Sequence, residues 1–355
     1  MRIAQLAPVQ ESVPPPRYGG TELVVSVLTE ELVRRGHEVT LFASGDSVTS
    51  ARLRYVCPSS LRTATDIVNH QPYEWAHVGF ALESANEFDI IHNHQGELAM
   101  AMSNIVTTPM LTTIHNPVTK DLSVVWRQYD GFYNTVSKAA KRGMPDKNYV
   151  GAIYNSINVS SYPYSEEKDD YLLFVGRMSK DKGPHLAIEV ARRLGKKLIM
   201  AAKVGLEDVD HYNNVVKPMI DGKQVVYIGE ADAQTKKQLY AKASCLIFPI
   251  IWNEPFGLVL VEAMACGTPV VSFKYGAAPE IIEHGKTGYL VDESDEMIKA
   301  VLEIDKIDPS ECRRHVERNF DAPRLADDYL AAYQFVLDRS PRRHSSSYYF
   351  PELHI

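Results

Sequence analysis

The run from Phe248 to Ser272, FPIIWNEPFGLVLVEAMACGTPVVS, leaves this chain little choice of structure. It reads as a buried strand ending at Pro249, a loop, a helix from about Pro255 to Ala265, a stop at Gly267 and a second apolar strand. Asn253 or Glu254 can cap such a helix, Pro255 suits its first turn, and Gly267 fits just past its end. The helix body is apolar on nearly every side through Phe256, Leu258, Val259, Leu260, Val261, Ala263 and Met264, so it belongs in a core.

Glu262 breaks that apolar surface. An unpaired buried charge costs several kcal/mol, so other side chains must donate hydrogen bonds to it; the plain structural reading supplies an Arg or a Lys. Glu254 lies eight residues earlier. On one continuous helix the two carboxylates would be roughly 12 Å apart. That exceeds the about 5–10 Å of a glycosidase acid pair but suits the two ends of one extended ligand. Between them the free amides of Phe256, Gly257, Leu258 and Val259, with the positive end of the helix dipole, favour an anion. A diphosphate with a hydroxylated group on each side, which describes a nucleotide-sugar, fits this pattern.

With 355 residues the chain has room for two domains, and 45% apolar with 23% charged residues is the composition of a globular protein with substantial cores. Cys57, Cys245, Cys266 and Cys312 form no metal-type cluster and read as reduced structural thiols. No signal peptide is visible in Met1 to Leu6, and no apolar run approaches the roughly 20 residues of a membrane span, so a cytoplasmic location is expected. A net charge of −7 argues against a nucleic-acid partner or general binding to anionic lipid.

The first half alternates strand and helix. Arg2 to Ala7 reads as a strand, Thr21 to Arg35 as a helix and Glu38 to Ala43 as a strand, which implies a parallel sheet covered by helices. The connection Pro8 to Gly20 lacks the G-x-G-x-x-G turn of a dinucleotide-binding oxidoreductase. It delivers Gly19 and Gly20 to a helix N-terminus instead, where a ligand can approach the backbone. Strands follow at Phe88 to His92, Met110 to His115 and Gly131 to Val136, with a short helix at Glu97 to Asn104 and a basic helix start at Ser137 to Arg142. His92, His94 and His115 sit at the strand ends, beside the crevice of an open sheet. A metal reading lacks the partner ligands of a zinc motif, leaving hydrogen bonding within the crevice or substrate contact by His115. Residues 44–87 carry no assignable role.

A polar, turn-rich stretch, 158–170, reads as a linker between an N-terminal domain, 1–157, and a C-terminal domain, 171–320. The second half restarts the alternation. The loop Gly176 to Gly183 places Arg177 and Lys182 at a strand edge, where a guanidinium fork and a compact ammonium can neutralise a diphosphate. The turn at Gly229 and Glu230 offers backbone groups to a flat base, and Asp208 with Asp210 reads as solvated surface. Two doubly wound Rossmann-like α/β domains therefore face an interdomain cleft. A closing helix over 321–340 returns to the first domain, and 341–355 is a tail without periodicity.

Assembled, these residues resemble the retaining glycosyltransferases of family 4, which have the GT-B fold. The resemblance runs from Met1 to about Leu337 and is strongest where GRMSKDKG, YIGE, NEPFGLVLVEAMACGTPVV and GKTGYLV follow in family order. It implies that Glu254 contacts the transferred sugar and Glu262 the ribose. Arg177, Lys182 and the amides of Phe256, Gly257, Leu258 and Val259 would hold the diphosphate, while Gly229 and Glu230 lie against the base. Gly19 and Gly20 match the family's glycine loop, and His115 its sugar-contacting histidine. Ala201-Ala202-Lys203 stands where many members have a glycine. The implied reaction moves a hexose from a nucleoside diphosphate sugar, UDP-glucose by family frequency, to an acceptor hydroxyl. It needs no cofactor and no metal. The acceptor is expected to be a small soluble molecule or a glycan, with at most peripheral membrane contact through Lys138, Lys141 and Arg142. A nucleotide-sugar epimerase and a non-catalytic nucleotide-sugar-binding protein stay open as alternatives.

Overall fold

Apolar runs without polar alternation make strands buried on both faces, and such strands belong to parallel sheets. The computed structural model describes residues 1–340 and contains two of these sheets; the tail expectation falls outside the described residues. The first has the order β3-β2-β1-β4-β5-β6-β7, built from β1 (Arg2–Leu6), β2 (Glu38–Phe42), β3 (Arg52–Arg54), β4 (Ile90–Asn93), β5 (Met110–Ile114), β6 (Phe132–Thr135) and β7 (Tyr149–Ala152). The second has the order β10-β9-β8-β11-β12-β13, from β8 (Tyr171–Arg177), β9 (Lys197–Lys203), β10 (Val225–Tyr227), β11 (Cys245–Phe248), β12 (Val270–Phe273) and β13 (Gly288–Val291). All pairings are parallel. Winding reverses between β1 and β4 and again between β8 and β11, the places where doubly wound sheets open a crevice at their carboxyl edge.

The second core is centred on the helix Leu258–Ala265, whose Leu260, Val261 and Met264 are fully buried. Each such side chain contributes about 1.5–3 kcal/mol on leaving water. The last helix, Ala322–Arg339, lies in the other core: Leu325, Ala326, Tyr329, Tyr333 and Val336 pack with Ile3, Val24 and Leu28. Its N-cap, Asp321, also accepts from the Val159 amide at 3.0 Å.

Several segments differ from expectation. Residues 44–87 hold β3 and the helix Gln71–Glu83, which buries only His77, Val78, Ala81 and Leu82 while Tyr73 and Trp75 stay exposed, so its apolar stripe is faint. The basic stretch Ser137 to Arg142 forms a single turn, Ala139–Lys141. Glu280, from the other sheet's unit, accepts from the amides of Lys138 at 2.9 Å and Ala139 at 2.7 Å and so caps the start of the turn. In the stretch read as a linker, Val159 and Tyr162 are buried in the second core. No described helix is long and apolar enough to cross a membrane.

Candidate functional site

The helix under the cleft starts at Leu258, not at Pro255. Gly257 explains the shift: its φ of +91° is left-handed, and a Cβ there would stand 3.2 Å from Leu260 Cδ1. A left-handed residue breaks the helical path, so Pro255 and Phe256 approach as loop. Glu254 is consequently off the helix, and helical rise does not set its separation from Glu262. Its carbonyl accepts from the Ala277 amide at 3.0 Å, and its carboxylate takes Trp252 Nε1 at 3.0 Å and the Lys182 ammonium. The amides of Leu258 and Val259 open the helix, have no acceptor within it, and line the cleft. At the other end Thr268 N reaches Ala263 O at 3.0 Å, closing the helix at the expected stop.

Glu262 is buried, and among the described residues neither an Arg nor a Lys pairs with it. Tyr162 and Tyr240 donate their hydroxyls to its two oxygens at 3.0 and 2.8 Å. Burial, and then the carboxylate itself, push both phenols well above their ordinary range, so they remain donors.

The cations of the Gly176 to Gly183 loop are also held. Arg177 donates to Asp208 at 3.0–3.1 Å and pairs with Glu207 at 2.7 Å. Asp208 is 5% exposed and accepts from the Gly205 amide, which corrects its reading as solvated surface. The polar sequence around it hid a partner 31 positions away in the chain. Lys182, paired with Glu254, lies 4.7 Å from the centre of the Trp252 ring.

The first unit supplies the facing wall. Gly19 has φ +152°, and a Cβ there would meet Pro15 Cβ at 2.7 Å; Gly20 begins the helix Gly20–Arg34, 3.5 Å from Leu258 by the same measure. The N-termini of the two helices thus approach each other across the cleft. Glu22, in the first turn, is buried, and burial pushes its carboxyl up to about 7. Tyr18 N donates to Glu230 at 3.2 Å, and Arg62 bridges Glu11 at 2.7 Å and Glu230 at 2.9 Å, tying the two units together. Gly229 holds the strand edge by accepting from the Ala202 amide at 2.9 Å. Sequence reasoning missed Glu11, Glu22 and Arg62. Only Glu22 carried a signal, an acid three residues after Gly19 at an otherwise apolar helix start.

The histidines form hydrogen bonds with protein groups. His115 and His94 meet ring to ring at 2.9 Å, and His92 contacts Tyr333 and Thr113 at 2.7 Å each. Burial takes His92 and His94 well below the ordinary imidazole range and His115 down to about 4. All three rings are neutral near pH 7. Among the described residues no group of His, Cys, Asp or Glu is arranged to hold a metal ion.

Gly19, Gly20, His115, Arg177, Lys182, Glu254, Phe256, Gly257, Leu258 and Val259 all line one cleft of about 450 Å³. Glu230 and Glu262 line an adjoining pocket of about 370 Å³ that shares Tyr18, Gly19, Gly20, Leu258 and Val259 with it. Two connected chambers of this size can take an extended ligand with a charged middle.

Comparison with known proteins agrees with this layout. The family model described as Glycosyltransferase Family 4 matches residues 18–147, and the one described as Glycosyl transferases group 1 matches residues 162–319. The phosphatidyl-myo-inositol mannosyltransferase of Mycolicibacterium smegmatis is 27% identical, over 95% of this chain and 94% of its own. The crystal structure of AviGT4, a glycosyltransferase involved in avilamycin A biosynthesis, is 25% identical with a TM-score of 0.74, over 95% of this chain and 98% of its own. The Anabaena protein HepE in complex with UDP-glucose shares the fold at 19% identity and a TM-score of 0.72, over 94% of this chain and all of its own. On both halves and on the architecture that joins them, the chain belongs to the family 4 glycosyltransferases of the GT-B fold.

Proposed function

We propose that this glycosyltransferase moves a hexose from a nucleoside diphosphate donor, UDP-glucose in the first instance, to an acceptor hydroxyl with retention at the anomeric carbon and without a metal. One observation carries the reading: two cations, two helix N-termini and a glycine pair from both units converge on one cleft, next to a chamber floored by a carboxylate. The diphosphate would lie against Leu258 N, Val259 N, Arg177 and Lys182, with the ribose toward Glu262, the base toward Glu230 and the hexose between Glu254 and His115. The UDP-glucose carried by HepE supports this choice of donor.

In the reaction the bond from the anomeric carbon to the β-phosphate oxygen breaks, and the diphosphate gains negative charge. Arg177, Lys182 and the helix amides stabilise that charge more in the transition state than before it. The acceptor oxygen bonds to the anomeric carbon from the face the diphosphate leaves, and its proton passes to a phosphate oxygen. Lys182 must turn from Glu254 toward the phosphate for this to occur, which releases Glu254 to accept from a sugar hydroxyl.

The test is turnover on UDP-, GDP- and ADP-hexoses with a panel of acceptors, with and without EDTA, and NMR of the product's anomeric proton. UDP release with an α-linked glucoside, unaffected by EDTA, is the expected result. A changed nucleotide-sugar with no transfer would instead make the protein an epimerase, and binding without turnover would make it a non-catalytic receptor.

A further inference from the structure

His115 ends a chain of buried hydrogen bonds whose direction can be worked out from its far end. Asn134 Nδ2 donates to the Thr135 carbonyl at 3.5 Å and to Tyr329 Oη at 3.4 Å, which turns Oδ1 toward Thr113. Thr113 gives its single proton to that oxygen at 2.7 Å. Its own oxygen can then only accept, from Tyr329 at 3.0 Å and from His92 Nε2 at 2.7 Å. His92 Nδ1 is therefore the lone-pair nitrogen and takes the Tyr333 proton at 2.7 Å. Tyr333 Oη accepts from Gln5 Nε2 at 3.1 Å, so Gln5 Oε1 faces His94 and accepts from its Nε2 at 2.9 Å. His94 Nδ1 is left to accept from His115 Nε2 at 2.9 Å. Running the chain the other way would set Asn134 Oδ1 against the Thr135 carbonyl, two acceptors face to face in a buried site.

We infer that this network locks His115 as its Nε2–H tautomer, so that the ring presents Nδ1 as a hydrogen-bond acceptor to a hydroxyl of a polyhydroxylated substrate in the cleft, with Gln5, His94 and Tyr333 as positioning residues. Nδ1 has no protein partner among the described residues, and His115 lines the cleft. The side chain cannot act as an acid, since its proton is engaged with His94. It discriminates instead for a hydroxyl that can donate, and against a fluoro or methoxy group at the same carbon. The inference rests on the sugar position given under the proposed function. Its tautomer half is measured without any substrate.

The experiment is ¹⁵N-histidine labelling with long-range proton–nitrogen correlation, the His115 signals being identified by their loss in His115→Asn. A protonated Nε2 and an unprotonated Nδ1 at pH 7 are expected; a proton on Nδ1, or averaged nitrogens, overturns the inference. Tyr333→Phe and Gln5→Met remove the groups that carry this direction from His92 to His94. Mixed His115 tautomers and a roughly three- to tenfold fall in kcat, with the acceptor KM unchanged, are expected of each, the scale of one neutral hydrogen bond. Mixed tautomers with wild-type kcat would overturn the functional half. Should neither variant fold, the wild-type spectrum still decides the tautomer. Absence of transfer in the wild type would defeat the proposed function and leave the tautomer measurement standing.

Discussion

The two walls of the cleft handle charge in opposite ways. On the C-terminal wall these charged side chains are already matched: Arg177 with Asp208 and Glu207, Lys182 with Glu254, Glu262 with two tyrosine hydroxyls. The N-terminal wall is neutral at its centre, with three uncharged imidazoles and a Glu22 that burial keeps largely protonated up to about pH 7. A wall that must meet a diphosphate needs cations held in place by carboxylates, so that they neither collapse onto each other nor wander. A wall that meets hydroxyls needs directional groups whose proton positions do not change with pH. The division follows from which part of the ligand each wall would face.

The comparison breaks first at Lys182. Lys182→Ala removes countercharge from the leaving group, and turnover should fall by about 10²–10³-fold; a steady-state rate within a few-fold of wild type would show that the paired wall does not stabilise the diphosphate. Arg177→Ala mixes that effect with an orphaned, buried Asp208. The double variant Arg177→Ala, Asp208→Asn separates the two: stability should return while turnover stays low, as read from thermal melting beside the rate.

On the neutral wall the sharpest test is Glu22→Gln. The folded carboxyl titrates near 7 and the unfolded one near 4.5, so the folded state binds more protons between these values. Stability due to this group is thus present below about 4.5, declines as pH rises toward 7 and stays reduced above. The amide should gain up to about 3 kcal/mol at pH 8 and nothing at pH 4, measured by urea unfolding. A pH-independent difference would mean that Glu22 is ionised in the fold. Gly19→Ala, at a left-handed position packed on Pro15, should cost about 1–3 kcal/mol by the same measurement. Tyr240→Phe should cost least, about 1–2 kcal/mol, because Tyr162 still serves Glu262; a larger loss would show that the two phenols act as one unit.

The fold was legible because its signals are local. Unbroken apolar runs such as Leu172–Val175 and Cys245–Phe248 announce a parallel sheet, and glycines such as Gly267 punctuate the helix ends. The start of the helix at Leu258 was not legible: Pro255 is a good first-turn residue by local rules, and only the left-handed turn at Gly257 overrules it. The partners of the charged groups were hidden for a different reason. Asp208 meets Arg177, Arg62 meets Glu230 and Tyr333 meets Gln5 across separations of 31, 168 and 328 positions, and no periodicity reports a contact of that kind. The segment with Arg62 and the helix Gln71–Glu83 lacked even a strong apolar stripe to announce it.

The helix Ala322–Arg339 also orders events in time. Its Tyr329 and Tyr333 fill the same core as Ile3 and reach the hydrogen-bond chain behind His115. During synthesis, β1 leaves the ribosome first, yet the core around its Ile3 stays open until this helix has emerged, after β8 to β13 can have paired among themselves. The half of the enzyme begun earliest can be completed only last, after the strands of the other sheet have been synthesised. A chain cut short before Tyr333 would carry the cations of the cleft and still lack the scaffold that orients its histidine.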